Sequence, residues 1–193
     1  MSVLEIVEAA PEHDELLYRI YAESRSAELS AWGWEESERE AFLRMQYELR
    51  RRSYAMQAAA AEHSVIVWNE APVGHLIVEE GESSIRIVGV ALLEAYRNQG
   101  IGSRLIASLQ QKAAKAGKSV VLSVDAANRA RRLYERLGFR PIGQSVPYTW
   151  MEWIAGDEQA MVLHDSARTD RRFVSRAAGG EGGAFPPAGE GDR

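Results

Sequence analysis

Residues 90–105 read VALLEAYRNQGIGSRL, and this run constrains the architecture more than any other part of the chain. Its apolar start is typical of a strand that ends near Leu92, and a helical pattern begins near Ile101, after a loop that contains Gly100 and Gly102. The first N–H groups of a helix lack intrahelical acceptors and lie at the positive end of the helix dipole. A strand that leads through a glycine loop into a helix therefore predicts a site for an anion such as a phosphate group.

The loop differs from the two commonest nucleotide-binding motifs. No Gly-Lys-Ser/Thr sequence follows Gly102, as a P-loop requires, and Leu105 stands where the dinucleotide-binding motif has its third glycine. Two arginines of the run, Arg97 and Arg104, are candidates for a charge-assisted contact with the anion.

Three segments before the loop alternate apolar and polar residues with the period of a strand. These predicted strands are Ser64–Trp68, Val73–Glu79 and Ile85–Leu92. Because short turn-like segments separate them, we expect an antiparallel meander. A helix is predicted over Ile101–Ala116, and the strand Ser119–Val124 follows at the distance of a crossover connection. That strand should therefore run parallel to the strand before the loop.

The remaining predicted elements lie at the two ends of this core. A strand near Val3–Val7 and two helices precede the meander. A short helix over Asn128–Leu137 and two strands, near Phe139–Ile142 and Tyr148–Ile154, follow the crossover. The sequence thus predicts an α+β domain with a mixed, mostly antiparallel sheet of six to seven strands and about four helices. We expect this domain to span residues 1–165, and the glycine-rich residues 166–193 to form a disordered tail.

Two motifs in this layout resemble those of the GNAT superfamily of N-acetyltransferases. The first is Arg97-x-x-Gly100-x-Gly102, which matches the Q/R-x-x-G-x-G/A signature of that family. The second is Asn128-x-Ala130-x-x-x-Tyr134-x-x-x-Gly138-Phe139, which resembles the family's second block. The resemblance implies the GNAT fold, acetyl-CoA as co-substrate, and a CoA pyrophosphate that lies on the loop from Arg97 to Gly102.

The resemblance also implies the site residues. Tyr134 would protonate the departing thiolate, and the CoA site would combine the strand end, its loop and the start of the short helix. The residues of that CoA site are Val90, Ala91, Leu92, Arg97, Asn98, Gln99, Gly100, Ile101, Gly102, Ser103, Asn128 and Arg131. Val90 and Leu92 are predicted to offer backbone groups to the two amides of pantetheine. In the family this strand is bulged beside a gap in the sheet, and Gly89 is the predicted bulge residue here.

Structural roles stay open for three of these residues. Asn128 is also typical of a helix N-cap, Tyr134 of a buried aromatic side chain, and Arg131 of a solvated helix face. Two hypotheses therefore follow for the whole chain. One is an acetyl-CoA-dependent N-acetyltransferase, and the other is a catalytically inactive acyl-CoA-binding regulatory module.

Acetyl transfer to an amine requires that the amine be neutral. An amine with a pKa of ~10.4 is neutral in roughly one molecule in 10³ at pH 7, so its deprotonation costs about 4–5 kcal/mol. Many relatives have a carboxylate or an imidazole on the strand before the loop, but this chain has Val88 and Gly89 there. The remaining candidates for a base are His75, Glu79, Glu80 and Asp125. Loss of the proton through water would need none of them.

Composition narrows the chemistry further. The 193 residues include no cysteine, so we expect direct transfer without an acetyl-cysteine intermediate. The four histidines, His13, His63, His75 and His164, have no ligand-like spacing, and we predict no metal. The net charge of −5 does not favour nucleic acid as a partner.

The expected acceptor is a primary amine on a small molecule, a peptide or a protein. We expect the first two helices and the last two strands to contact it, although the acidic start of the second helix is more simply a solvated helix end. No long apolar run or signal peptide is evident, so we expect a cytoplasmic protein that does not bind membranes. A monomer or a homodimer paired through the terminal strands would suit the sheet edges.

Overall fold

A computed structural model describes residues 2–30, 33–57 and 61–156. The predicted tail, residues 166–193, and the proposed domain boundary at residue 165 lie outside these ranges. Within them, no helix is long and apolar enough to cross a bilayer.

Seven strands form one mixed sheet in the order β1-β2-β3-β4-β5-β7-β6. Their bounds are β1 Leu4–Glu8, β2 Ala61–Trp68, β3 Ala71–Glu80, β4 Ser84–Leu92, β5 Ser119–Asp125, β6 Arg140–Ser145 and β7 Tyr148–Trp153. All neighbours are antiparallel except β4 and β5, which are parallel. The predicted fold class is therefore confirmed, including the crossover between these two strands.

Four α-helices flank the sheet in the described residues. They are α1 Asp14–Ser30, α2 Glu36–Gln57, α3 Ile101–Lys115 and α4 Ala130–Arg136. The last helix is shorter than predicted, because Asn128 lies in the turn before it and Leu137 lies just after its end. The hairpin between β2 and β3 is also tighter than predicted. Its loop is Asn69–Glu70, two residues with φ of 49° and 66°, which suits the twist of a two-residue hairpin.

The main core lies on one side of the sheet, which we call the α3 face. There the apolar stripe of α3, including Leu105 and Ile106, packs on Leu76, Ile87 and Leu122 of the central strands. Because side chains alternate along a strand, the residues between these core positions lie on the other side. We call that side the α1 face, since Ile20 of α1 packs there against β4 and the residue that follows it.

Both ends of α3 are fixed by the chain around them. Gly100, before the helix, has φ of 78°, and Gly117, after it, has φ of 66°, a conformation that glycine adopts without strain. At the C-terminal end of α3, the Glu80 carboxylate accepts from Lys112 Nζ at 2.7 Å and from Lys118 Nζ at 2.8 Å. These contacts join the end of β3 to the C-terminal end of α3.

Candidate active site

A gap opens in the middle of the sheet between β4 and β5. The two strands pair only from Ser84 with Ser119 to Ile87 with Leu122. A bulge in β4 follows at once, because Gly89 lies opposite Ile77 on β3 and the next paired residue is Ile87. Beyond the bulge, β4 continues alongside β3 alone and separates from β5. We call this opening the β4–β5 gap.

The bulge residue itself is Val88 and not Gly89, so that sequence prediction is wrong by one position. Val88 is the extra residue between the pairs of Ile87 and Gly89 with β3. A β-bulge constrains backbone spacing and not side-chain identity, so a β-branched residue is tolerated where its side chain has room. Here the Val88 side chain is half-buried at the start of the gap.

The wall of the gap formed by β4 exposes backbone hydrogen-bonding groups. Just after the strand, the Leu93 N–H donates to the Val73 carbonyl of β3 at 2.8 Å. Because backbone groups alternate in direction along a strand, Ala91 also faces β3, whereas Val90 and Leu92 face the gap. The backbone groups of Val90 and Leu92 are thus directed into the gap and those of Ala91 away from it, and the contacts of all three with CoA stay predictions.

The β4–α3 loop ends in free helical N–H groups. Asn98 and Gly100 both have a left-handed backbone, with φ of 60° and 78°. The first helical bond runs from the Arg104 N–H to the Gly100 carbonyl at 3.1 Å, so the N–H groups of residues 101–103 precede the helical bonds. A Cβ at Gly102 would lie 3.5 Å from Leu133 Cδ2, an ordinary contact. The predicted anion site at Gly100, Ile101, Gly102 and Ser103 therefore has donors at the helix start.

Arg97 is bound to the strand end. Its Nε donates to the Leu92 carbonyl at 3.0 Å, and its Nη2 lies 3.9 Å from the Glu23 carboxylate of α1. The same carboxylate accepts from the Glu94 N–H at 2.7 Å. Arg97 and Glu23 together hold the loop against β4, and the predicted contact of Arg97 with phosphate stays a prediction.

Two other polar side chains around the loop are also engaged with protein groups. Gln99 Nε2 donates to the Ala95 carbonyl at 2.7 Å, which ties the loop to the turn before it. The Arg104 guanidinium lies over the Trp68 ring, 5.1 Å from its centroid, and so leans toward β2. Backbone groups are therefore the principal donors at this loop.

The start of α4 supplies the remaining residues that the resemblance implied. Asn128 is buried, and its Oδ1 accepts from the Ala130 N–H at 2.8 Å, which joins the turn before α4 to the first residue of the helix. Arg131 forms an ion pair with Glu135 at 2.9 Å along the surface of α4. Their contacts with CoA stay predictions.

Tyr134 lies in the main core, on the α3 face. Its ring packs edge-on against Phe139, with the ring centroids 5.7 Å apart, and only 6% of the residue is exposed. Burial raises the pKa of its hydroxyl to about 12. The hydroxyl is therefore protonated at neutral pH and can act as a hydrogen-bond donor.

The structure separates the four candidate bases into two pairs. Glu79 accepts from Arg86 Nη2 at 2.7 Å, and Glu80 binds two lysines, so both carboxylates form ion pairs near the β3–β4 hairpin. His75 and Asp125 instead lie on the α1 face beside the gap. His75 is paired with Ala91 on β4, and Asp125 ends β5.

His75 is joined to a second histidine that the sequence analysis did not connect with it. Its Nδ1 lies 3.2 Å from His63 Nε2 on the neighbouring strand β2. Burial lowers the pKa of His75 to about 3, with smaller contributions from His63 and Arg50, and burial also lowers the pKa of His63. Both imidazoles are therefore neutral at pH 7. The signal in the sequence was weak, because their proximity depends on the register of the hairpin.

Comparison with known proteins gives one matching family model. Residues 27–155 match the model described as an acetyltransferase (GNAT) domain. The chain is also 33% identical over 89 residues to a curated relative from Bacillus subtilis (strain 168), the uncharacterized N-acetyltransferase YitI. That match covers 46% of this chain and 55% of the relative, so it spans about half the length of each.

Solved structures share the fold at low sequence identity. The PaiA N-acetyltransferase from Thermoplasma acidophilum, solved with coenzyme A, has a TM-score of 0.57 at 18% identity, over 79% of this chain and 99% of its own. An acetyltransferase from Thermus thermophilus has a TM-score of 0.56 at 19% identity, over 79% and 97%. The ribosomal-protein-S18-alanine N-acetyltransferase from Escherichia coli has a TM-score of 0.54 at 17% identity, over 84% and 100%.

Proposed function

This chain belongs to the GNAT acetyltransferase family, and we propose that it transfers the acetyl group of acetyl-CoA directly to a primary amine. The observation that carries the proposal is the β4–β5 gap, which ends at the first turn of α3. A long co-substrate with two amides and a pyrophosphate suits a site with an open strand edge at one end and a helix start at the other.

Backbone groups do most of the binding in this proposal. The Val90 backbone groups and the Leu92 N–H, which face the gap, bind the pantetheine amides. The N–H groups of Ile101, Gly102 and Ser103 bind the pyrophosphate, where the helix dipole favours negative charge. Arg97 positions this loop through its bond to the Leu92 carbonyl.

Tyr134 stabilises the thiolate that leaves. A thiol has an ordinary pKa of ~8.5, so full proton transfer from a hydroxyl of pKa about 12 is uphill by about 5 kcal/mol. The favourable role of this hydroxyl is therefore to donate a hydrogen bond to the developing thiolate. Hydrogen bonds to charged groups contribute about 1.5–3 kcal/mol, which lowers the barrier without a change in the binding of the intact thioester.

Transfer is direct in this proposal, because no cysteine exists to carry the acetyl group. His75 is a poor general base, since burial holds its pKa at about 3. Asp125 lies beside the gap, but its Oδ1 accepts from the Ala127 N–H at 2.8 Å. Loss of the amine proton to water, before the amine reacts, suits these surroundings best.

A second candidate is a catalytically inactive acyl-CoA-binding module. It is favoured by the β4 wall of the gap, which has Val88, Gly89 and Val90 where relatives have an acid or an imidazole. Such a module would bind acetyl-CoA and release no thiol with any amine.

The experiment is a calorimetric titration with acetyl-CoA and with ATP, followed by thiol-release assays over a panel of amines. We expect acetyl-CoA to bind at micromolar concentration and ATP not to bind. Thiol release with an amine supports the enzyme, whereas binding without release from any amine supports the inactive module. A wild-type chain that does not bind acetyl-CoA would contradict both. A chain of residues 1–165 should behave as the full chain does, which tests the proposed domain boundary.

A further inference from the structure

Two arginines from different helices converge on one tyrosine ring. The Arg25 Cζ lies 5.9 Å from the centroid of the Tyr21 ring, and the Arg50 Cζ lies 5.5 Å from the same centroid. Arg25 follows Tyr21 by one turn of α1, whereas Arg50 belongs to α2. Both side chains are half-buried and have further partners in the protein. The packing of α1 on α2 therefore holds two cations in place at one position.

These cations lie near the end of β4, because Ile20, the residue before Tyr21 on α1, packs against Ala91 and Leu93. Tyr148 and His75 lie on the α1 face, on opposite sides of the gap, in β7 and β3. Burial and then Asp125 raise the pKa of Tyr148, whereas the charges of Arg50 and Arg25 oppose the rise. Arg50 also contributes to the lowered pKa of His75. The charge of Arg50 therefore reaches side chains on both sides of the gap.

We propose that Arg25 and Arg50 bind an anionic group of the acceptor, a carboxylate or a phosphate, while the acceptor amine enters the β4–β5 gap. This inference rests on the proposed acetyl transfer and adds the chemical class of the acceptor. A guanidinium group presents parallel donors that match a carboxylate or a phosphate in bidentate geometry. Contact with an aromatic face orients those donors before the ligand arrives.

Charge also selects among amines at this position. Two guanidinium groups repel an acceptor that carries only ammonium charge, whereas an acceptor with an adjacent anion is attracted. The same cations favour the neutral form of the bound amine, because a nearby positive charge lowers the pKa of an ammonium group. They thereby assist the deprotonation for which His75, with its pKa lowered by burial, is a poor base.

The acidic start of α2 does not oppose this selection. Its carboxylates are exposed at the end of the helix, and Glu38 Oε2 accepts from the Glu35 N–H at 3.2 Å. They cap and solvate the helix end, as the simpler interpretation of the sequence predicts.

Product analogues test the inference without turnover. The protein is saturated with CoA and titrated by calorimetry with matched probes that share the acetamide group and differ in charge. The pairs are N-acetylglycine with N-acetylglycinamide, N-acetyl-β-alanine with its carboxamide, and N-acetylethanolamine phosphate with N-acetylethanolamine. We expect the anionic member of at least one pair to bind about tenfold more tightly or better. The carboxylate pairs and the phosphate pair tell the two anions apart.

Three variants assign the preference to its residues. Arg25→Gln and Arg50→Gln should each reduce it to less than about threefold while the affinity for CoA stays unchanged. Arg44→Gln is the matched control, since Arg44 is an exposed arginine of α2 that lies over the Tyr18 ring at 4.1 Å and pairs with Glu15. It should keep the full preference.

The outcomes separate this inference from the function on which it rests. Equal binding of both members of every pair, or no binding of any probe, with normal CoA affinity overturns the inference and leaves the proposed acetyl transfer intact. A preference that survives in both Arg25→Gln and Arg50→Gln also overturns it. A wild-type protein that does not bind CoA contradicts the proposed function and the inference together.

Discussion

The Arg97 guanidinium donates from Nε to the Leu92 carbonyl at 3.0 Å, which closes the β4–α3 loop onto the end of β4. Glu23 of α1 lies against the same guanidinium and accepts from the Glu94 N–H. The start of α3 is thus fixed relative to the open strand edge by the side chains of Arg97 and Glu23. A site that binds a long co-substrate at both the strand edge and the helix start depends on a fixed distance between them. If the loop moved freely, its ordering on binding would cost conformational entropy and weaken the affinity.

Replacement of Arg97 by methionine should weaken acetyl-CoA binding about tenfold and leave the fold intact. The variant removes a half-buried hydrogen bond from a charged group, which contributes about 1.5–3 kcal/mol, and it frees the loop. Calorimetric titration gives the dissociation constant. Arg104→Met loses the same charge one turn into α3, where the guanidinium lies over Trp68. Equal weakening in both variants would mean that overall charge, and not loop geometry, sets the affinity.

Gly74→Ala should lower the free energy of unfolding by about 1–3 kcal/mol. A Cβ at this position would overlap the Ala91 carbonyl oxygen and lie 2.6 Å from Leu92 Cδ2. The paired strands β3 and β4 would therefore have to move apart beside the β4–β5 gap. Chemical denaturation measures the change. Gly143→Ala is the control in β6, where an added Cβ has no neighbour within 4 Å, and it should change stability little. Similar effects of both substitutions would contradict this interpretation of the close approach.

Tyr134→Phe should lower kcat by about 10- to 150-fold and leave the dissociation constant of acetyl-CoA nearly unchanged. The hydroxyl is proposed to act only when negative charge develops on the sulfur, whereas the ring keeps its packing against Phe139. Tyr47→Phe is the control, because burial raises the pKa of that hydroxyl to about 12 as well, but Tyr47 packs against Tyr18, Leu29 and Leu43 of α1 and α2. An unchanged kcat in Tyr134→Phe would leave Tyr134 with a packing role only.

The central part of the fold could be predicted because its sequence signals lie in one short segment of the chain. The glycine loop and the two periodicities on either side of it predicted the parallel join of β4 and β5, which the pairing of Ser84 with Ser119 confirms. The bulge was placed one residue away, at Gly89, because strand pairing fixes the position of a bulge and glycine does not.

Local sequence patterns did not predict the residues that surround the proposed acceptor site. Arg25 and Arg50 are 25 residues apart and meet only through the packing of α1 on α2. His63 and His75 meet through the register of a hairpin whose turn is tighter than predicted. Glu80, a candidate base by sequence, instead binds Lys112 and Lys118 at the C-terminal end of α3. The sequence shows which ionisable residues are present, whereas the roles of these five depend on contacts between distant parts of the chain.

The His63–His75 pair makes the fold sensitive to acid. Burial holds the pKa of His75 at about 3, below the ordinary value of about 6.5 that the unfolded chain has. The unfolded state therefore binds more protons between these values, so the free energy of unfolding falls as the pH falls from about 6.5 toward 3. Each such histidine contributes a slope of up to about 1.4 kcal/mol per pH unit.

His75→Phe should flatten this dependence, since it removes the more strongly shifted imidazole and keeps an aromatic ring on β3. Denaturation at pH 7, 6, 5 and 4 measures the slope, and His13→Gln is the control, because His13 lies in the turn before α1. The variant loses the contact with His63 and should be less stable than wild type at pH 7, so the slope and not the absolute stability carries the test. A wild-type slope that persists in His75→Phe would assign the acid sensitivity to other groups.

The same variant should keep the pH dependence of acetyl transfer, because a histidine with a pKa of about 3 does not titrate where the acceptor amine loses its proton.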